Sequence, residues 1–569
     1  MQQIVVEISK YLITLFILIY TFLCFGVFRY QTEPERKGIY LRQNIFMVLI
    51  HLLSFLIFFL KYEDPKYIYA YLMQELIIIL VLLMYHKFYP EANRLIVNNM
   101  CMLLTIGLII LTRLSFARAR RQFIIICISL VVTFIIPFLI SRVKFFEKFK
   151  WLYVGMGILS LVIVLVFSSA VNGSKLNIMI ANYSFQPSEY VKILFVFSLA
   201  CILYDHPDFK TIVISAIVAG VHVILLVASK DLGSAIIYFV VYFAILYCAT
   251  GKIRYFILGL ASGGVSAVIG YKLFSHVRVR VLAFRDPFGT IENAGYQIAQ
   301  SLFAIGTGGW FGMGLGNGAP QTIPVVTSDF VFSAICEEMG VIFGMCLILI
   351  CVSCFVMFMN ISMRFTDIFF KLVALGLSTA YGFQVLLSIG GVTKFIPLTG
   401  VTLPLVSYGG TSVLVTLCVF GIIQGLYINK ARSYINGRLI ITDIDGDIDD
   451  DIEDVDVNDD IEMEIDLDPI DDLMNNSFDI NEEDIKQRSI KQIDIGDIPE
   501  DELKKPANQS SNTKHASVTE EIALDRAVAA GLILAKDIDI DYSIPDIEDG
   551  SINSDSNEDY KVEHWVRKQ

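Results

Sequence analysis

Asp329, in Thr327-Ser328-Asp329-Phe330, lies where a glycine-rich stretch runs into an apolar run from Phe330 to Val356. A carboxylate at such a boundary costs free energy unless it is solvated, paired or used, and within hydrogen-bond reach of a hydroxyl it can serve as a general base. A solvated aspartate beside a helix N-terminus accounts for a lone residue equally well. Other polar clusters accompany it. Phe185-Gln-Pro-Ser-Glu189-Tyr-Val-Lys192 opens a helix with proline and puts Glu189 and Lys192 on one face, as a capping pair also would. Lys230-Asp231-Leu-Gly-Ser234 is a charged turn between two apolar runs. Between residues 394 and 412, Lys394, Pro397, Gly400, Pro404, Ser407, Gly409 and Gly410 interrupt an otherwise spanning run. A broken helix at membrane depth is tolerated where it lines a cavity.

The stretch before Asp329 adds Arg278, Arg280, Arg285, Asp286, Gln297 and Gln300, then Ile305-Gly-Thr-Gly-Gly-Trp-Phe-Gly-Met-Gly-Leu-Gly-Asn317. These glycines permit positive φ or close backbone approach. No Gly-Lys-Ser/Thr follows and no parallel strand precedes, so a phosphate loop and a nucleotide cofactor are not expected. The apolar residues among the glycines predict a segment packed against the bundle, or dipping into it.

The elements that must position these groups are membrane helices. Runs of about 18 or more nearly uncharged residues predict about 13 spans, centred at 10–28, 43–60, 68–85, 98–115, 122–141, 151–169, 188–204, 210–228, 233–250, 254–272, 330–356, 367–390 and 405–428. Barrel strands would be half as long and alternating, so the expected fold class is an all-α polytopic bundle. Residues 441–569 hold 39 acidic and 11 basic residues, a net of −28, which leaves +15 on the rest of a chain whose total is −13. Basic loops at Arg29–Arg42, Arg142–Lys150 and Lys430–Arg438 place those ends in the cytoplasm. The N-terminus and the 273–329 loop are then external and the tail cytoplasmic. Arg118, Arg120 and Arg121 resist this rule, since they fall outside. The first nine residues lack a basic region and no cleavage site follows, so no cleaved signal peptide is expected. The ten cysteines lie in or beside the spans, and Cys351-Val-Ser-Cys354 reads as buried packing rather than redox or metal chemistry. The scattered histidines suggest no zinc site.

The words FQPSEYVK at 185–192, DLGS at 231–234, YQIAQSLFAIGTGGWFGMGLG at 296–316, SDFVFSAICEEMG at 328–340 and TGVTLPLVSYGGTS at 399–412 resemble, in this order, the SEDS family of bacterial membrane proteins (FtsW, RodA and SpoVE). The resemblance divides the chain into extra N-terminal helices (1–97), a ten-helix core with its external loop (98–430) and an acidic, mostly disordered tail (431–569). The last word, with the GGVTKFIPL before it, looks more like the division and sporulation branch than the elongation branch. Departures are Gly173-Ser-Lys-Leu-Asn-Ile178 where the family often has Gly-Ala-Arg-Arg-Trp-Ile, Lys230 for a common proline, and Met313 for a common lysine.

The resemblance implies that the chain joins lipid II, a lipid-linked disaccharide, into glycan strands at the outer membrane face, beside a class B penicillin-binding protein. Asp329 matches the family's essential loop aspartate; Glu189, Lys192, Asp231, Gln297 and Gln300 match its other polar positions. That chemistry asks for a base at the acceptor hydroxyl, cations or a divalent metal (Mg or Mn) at the leaving pyrophosphate, and a groove for the lipid. Asp329 is the expected base, Lys192, Arg278, Arg280 and Lys394 the candidates for the pyrophosphate, and Ser407 a further substrate contact. No organic cofactor and no nucleic-acid partner are expected. A lipid II flippase, or a scaffold for the penicillin-binding protein, are the rival readings. In the tail, 441–470 alternates acidic and aliphatic residues and reads as disordered, while 518–537 has helical spacing. The tail would dock a basic division or envelope protein, or serve as a solvated spacer.

Overall fold

The computed structural model describes residues 2–30, 33–142, 146–168, 178–180, 183–205 and 207–445. The departure at Gly173–Asn177 and the tail beyond Asp445, including 518–537, lie outside them. Within them run α1 (Gln2–Gly26), α2 (Glu33–Tyr62), α3 (Lys66–Phe88), α4 (Arg94–Leu114), α5 (Phe116–Arg142) and α6 (Lys150–Phe167). A hairpin of β1 (Ile178–Ile180) and β2 (Tyr183–Phe185) precedes α7 (Pro187–Leu203), α8 (Phe209–Ala228), α9 (Leu232–Thr250) and α10 (Ile253–Leu273). Then come α11 (Ser275–Arg285), α12 (Tyr296–Gly308), α13 (Val331–Met339), α14 (Val341–Met363), α15 (Ile368–Val392) and α16 (Gly410–Asp445).

Twelve of the described helices are long and apolar enough to cross a membrane. The expected thirteenth is α7, whose 17 residues reach about 26 Å at helical rise. Its start meets the first turn of α9 through a hydrogen bond from Ser188 to Asp231 (2.7 Å), and its end meets Phe369 of α15 through the ring of Tyr204. It therefore runs between the same two ends of the bundle as its neighbours. The helix α4 sits at the centre, buried from Leu95 to Thr112, because most of its residues are apolar and its asparagines and threonines find buried hydrogen-bond partners. Asn93 caps it by accepting from the Ile96 amide at 3.2 Å. The ten free cysteines are buried or half-buried, in keeping with packing.

Three expectations need correction. The predicted span 330–356 is two helices, α13 and α14, parted at Gly340 (φ 92°). The cause is the glycine-rich segment, whose backbone docks on the break: Met313 N and Gly314 N donate to Glu337 O and Glu338 O, at 3.0 and 2.9 Å, and Val341 N donates to Gly309 O at 2.9 Å. A side chain at Gly340 would collide with the Trp310 carbonyl. The loop 273–329 is partly helical, since it contains α11 and α12. The run at 405–428 becomes helical only at Gly410, since Pro404 and the turns around Leu405 (φ 63°) hold the chain in an irregular path.

The N-terminal helices are joined to the core by buried polar contacts. Asn99 of α4 accepts from Tyr20 Oη (3.1 Å) and donates to Ser353 of α14 (3.2 Å), while Asn98 donates to Gln43 of α2 (2.9 Å). His51 Nδ1 meets Glu75 Oε2 at 2.6 Å, tying α2 to α3 near mid-helix. The bundle ends sort cleanly. Lys61, the corner from Arg113 to Arg118, Asp231, Arg280 and the 309–330 segment share one end; Arg364, Asp367 and Lys430 share the other, where Lys430 donates to the Arg364 carbonyl. Arg118, which strained the charge rule, is thus on the side of Asp329 because it is bonded there.

Candidate active site

A turn aims Asp329. Val325, a β-branched residue at φ 57°, reverses the chain, and its carbonyl accepts from the amides of Ser328 and Asp329 at 3.1 and 3.2 Å. Positive φ in such a residue is strain, and among the described non-glycine residues it recurs at Glu63, just after α2, and at Lys230, Lys394 and Leu405. The N-cap of α13 is Phe330, which makes no side-chain cap, so the Asp329 carboxylate is not used to cap that helix. It faces Gly400 instead. A Cβ at Gly400 would lie 3.4 Å from Asp329 Oδ2 and 4.0 Å from Arg280 Nη2, and Gly400 itself has φ 74°.

Arg280 completes the group. Its Nη1 donates to Thr399 O at 3.0 Å, and the negative charges of Asp329 and Asp231 favour its guanidinium, against burial. Burial lifts the Asp329 carboxyl above its ordinary value, opposed by a hydrogen bond from Ser328 and by the Arg280 charge. A carboxylate so placed is a better base than a solvated one.

The segment 399–412 forms the wall that these residues share. Ser407 Oγ donates to Ser328 O and accepts from Leu403 N at 3.0 Å; Tyr408 N donates to Thr327 O at 2.8 Å. Arg118 donates to Thr327 Oγ1 and lies 5.9 Å from the Tyr408 ring; Gln122 Nε2 donates to Ser407 O at 3.2 Å. On the opposite side Asp231 caps α9, accepting from Ser234 N (3.1 Å), Ser188 Oγ (2.7 Å) and Gln186 Nε2 (3.3 Å). Buried Lys192 donates to Glu189 Oε2 at 3.1 Å and to Gln384 Oε1 at 2.6 Å, and Gln384 Nε2 reaches Thr402 O at 3.2 Å.

Of the residues singled out in the sequence, Asp329, Arg280, Asp231, Ser407, Glu189 and Lys192 thus meet around one wall. Gln297 and Gln300, at the start of α12, and Lys394 are half-buried, and Arg278 is exposed. No hydrogen bond among the described residues links these four to Asp329, Arg280 or Asp231. Sequence reasoning missed Arg118, Gln122, Gln186, Ser188, Gln384 and Thr402. A lone glutamine in the apolar run of α15 was the one signal that could have exposed Gln384.

The glycine-rich segment is anchored beneath. Arg113 and Glu338 form a buried ion pair (2.8 Å). Gly316 N donates to Glu338 Oε2 (3.0 Å), Ala319 N to Glu337 Oε1 (2.7 Å), and Arg113 Nη2 to Gly318 O (3.0 Å). No cluster of three His, Cys, Asp or Glu side chains close enough to hold a metal ion occurs among the described residues. Asp231 is already engaged by Ser234, Ser188 and Gln186, and Asp329 has the Arg280 guanidinium nearby, so the set does not fit a divalent cation held by the protein alone.

Comparison with known proteins agrees with this architecture. A sequence profile of the FTSW_RODA_SPOVE family, described as "Cell cycle protein", matches residues 93–432. "Peptidoglycan glycosyltransferase RodA" of Mycobacterium tuberculosis (strain ATCC 25618 / H37Rv) is 29% identical over 373 residues, 59% of this chain and 78% of the relative. "Stage V sporulation protein E" of Bacillus subtilis (strain 168) is 30% identical over 357 residues, 58% of this chain and 96% of the relative. Such even matches do not single out the division and sporulation branch. A solved structure described as "Structural coordination of polymerization and crosslinking by a peptidoglycan synthase complex" shares the fold, with 23% identity and a TM-score of 0.51 over 60% of this chain and 98% of that one. From the break at Gly340 to the wall at 399–412, the chain belongs to the FtsW/RodA/SpoVE family of bacterial multi-pass membrane proteins.

Proposed function

We propose that this protein is a peptidoglycan glycosyltransferase that polymerises lipid II into glycan strands at the outer face of the cytoplasmic membrane, in division or sporulation. The observation that carries the reading is a partly buried carboxylate, Asp329, facing the Arg280 guanidinium across the Cβ-free position of Gly400. The names of the relatives support the same chemistry.

In this account Asp329 takes the proton from the 4-hydroxyl of the acceptor sugar as that oxygen attacks the donor's anomeric carbon. The new glycosidic bond forms, the bond from that carbon to phosphate breaks, and lipid pyrophosphate leaves with the electron pair. Arg280 lies where it can meet the developing negative charge, with Arg278 and Lys394 at the approaches. Lys192, engaged by Glu189 and Gln384, braces the wall from behind. Gly400 keeps a side chain out of the space beside the base. A divalent cation is given no step, since Arg280 supplies positive charge beside Asp329.

An odd number of crossings, α7 included, puts the two ends of the membrane bundle on opposite sides, and the basic ends at Arg29–Arg42, Arg142–Lys150 and Lys430–Arg438 favour a reading with Asp329 and the N-terminus external and the acidic tail cytoplasmic. A class B penicillin-binding protein is the partner expected to cross-link the product, and a basic envelope protein the partner for the tail.

The test is incubation of the full-length protein, alone and with such a partner, with labelled lipid II in vesicles. Glycan chains are the expected product. Lipid II crossing the bilayer without chains would make the protein a flippase, and neither outcome would make it a scaffold.

A further inference from the structure

The first three helices lie outside the family match at 93–432, yet two of them reach the segment that leads to Asp329. Lys61, in the last turn of α2, donates to Gly316 O at 2.6 Å and to Asn317 Oδ1 at 2.7 Å. The ring of Tyr11, near the start of α1, packs on Phe311 at 5.2 Å. The helix α1 also packs against α13 and α14, on either side of the break at Gly340.

The geometry at Gly316 is specific. Its amide is held from the core by Glu338 Oε2 and its carbonyl from the extension by Lys61. With φ 83°, it presents its carbonyl to the ammonium, and a Cβ there would approach Lys61 Cδ to 3.0 Å and Nζ to 3.2 Å. Lys61 makes no ion pair within 4 Å among the described residues, so its charge is directed at these two oxygens. Arg113 and Arg118 hold the later part of the same segment, at Gly318 and Thr327. The core holds the 311–317 stretch by backbone hydrogen bonds, by Glu338 and by the buried Leu315 side chain, and Lys61 adds the one side-chain cation that reaches it among the described residues.

We propose that the N-terminal helices act as a built-in brace on the glycine-rich segment, with Lys61 as a positioning residue that fixes the 311–317 stretch so that the segment carrying Asp329 is delivered in one conformation. Lys61 touches no reacting atom. Its effect passes through Gly316, Asn317 and the Glu338 contact. The catalytic consequence rests on the glycosyltransferase reading above, whereas the brace itself is a property of the fold.

The experiment uses full-length protein in lipid nanodiscs, as wild type, Lys61→Met, Lys61→Arg and Gly316→Ala, with two readouts. Hydrogen exchange at the amides of Met313, Gly314 and Gly316 reads the brace directly. Turnover of lipid II reads its consequence. Lys61→Met is expected to speed exchange at those amides and to lower kcat roughly three- to tenfold with KM unchanged, the range of a charge-assisted hydrogen bond discounted for exposure. Lys61→Arg should restore both, and Gly316→Ala, which pushes on the ammonium from the other side, should reproduce the loss. Unchanged exchange in Lys61→Met would overturn the brace. Faster exchange with unchanged kcat would overturn the positioning role. A wild type that makes no glycan would refute the enzymatic reading, and the exchange result would still decide the brace.

Discussion

At the scale of residues, the site depends on a carboxylate whose proton affinity is set by two opposed effects. Burial raises it and Arg280 lowers it. A base must be ionised, so activity is lost as pH falls through the Asp329 pKa. The acid limb of the pH–rate profile should therefore lie above the range of an ordinary carboxylate. Arg280→Gln removes the opposing charge, which moves that limb to still higher pH and lowers kcat by about two orders of magnitude. A limb that stays in place when Arg280 is replaced would separate the two residues. Gly400→Ala puts a methyl group 3.4 Å from the carboxylate in a left-handed conformation. It should cost about 1 kcal/mol of stability by thermal unfolding and reduce turnover more than that cost alone explains. These residues were only partly legible beforehand. Asp329, Asp231, Glu189 and Lys192 stood out because charge at the edge of an apolar run is costly. Arg118 was instead an embarrassment to charge counting, and Thr402 and Ser188 are indistinguishable from ordinary helix-end hydroxyls until the chain is folded.

Elements tell a different story. The long apolar runs identified the helices, and the spacing of charges located their ends. The predicted span runs through the break at Gly340 although Glu337 and Glu338 interrupt the apolar run just before it; its cause, the backbone of residues 309–314, docks there from earlier in the chain and leaves no local pattern. Similarly, the hairpin at 178–185 carries no pattern long enough to read. The polar contacts that join elements inside the membrane have measurable worth. His51→Leu leaves Glu75 buried beside apolar neighbours, and should destabilise the protein by about 3 kcal/mol in a denaturation assay. His51→Leu combined with Glu75→Leu should recover most of that loss, since an apolar pair needs no partner. Equal loss in both variants would mean that the pair has another role than joining α2 to α3.

For the whole molecule, the arrangement is a polar site at one end of a helical bundle, built by segments that are far apart in sequence. Twelve long apolar helices and the shorter α7 run between the two ends of the bundle among the described residues, and the contacts of Lys61, Arg118 and Lys430 sort the helix ends. Single cysteines introduced at exposed Asn293 and exposed Lys210 test it, because the native thiols lie in or beside the spans. In intact cells, a membrane-impermeant reagent should label Asn293→Cys and spare Lys210→Cys. The reverse pattern would invert the topology and place Asp329 on the cytoplasmic side.

The claim on which the rest stands is that Asp329 is the group that takes the proton. Asp329→Asn keeps the shape of the side chain and removes its basicity, so it isolates that role. Purified full-length Asp329→Asn, given labelled lipid II beside the wild type, should retain substrate binding and thermal stability while forming no glycan chains. Chains made at the wild-type rate would assign the proton transfer to another group and leave Asp329 a structural residue.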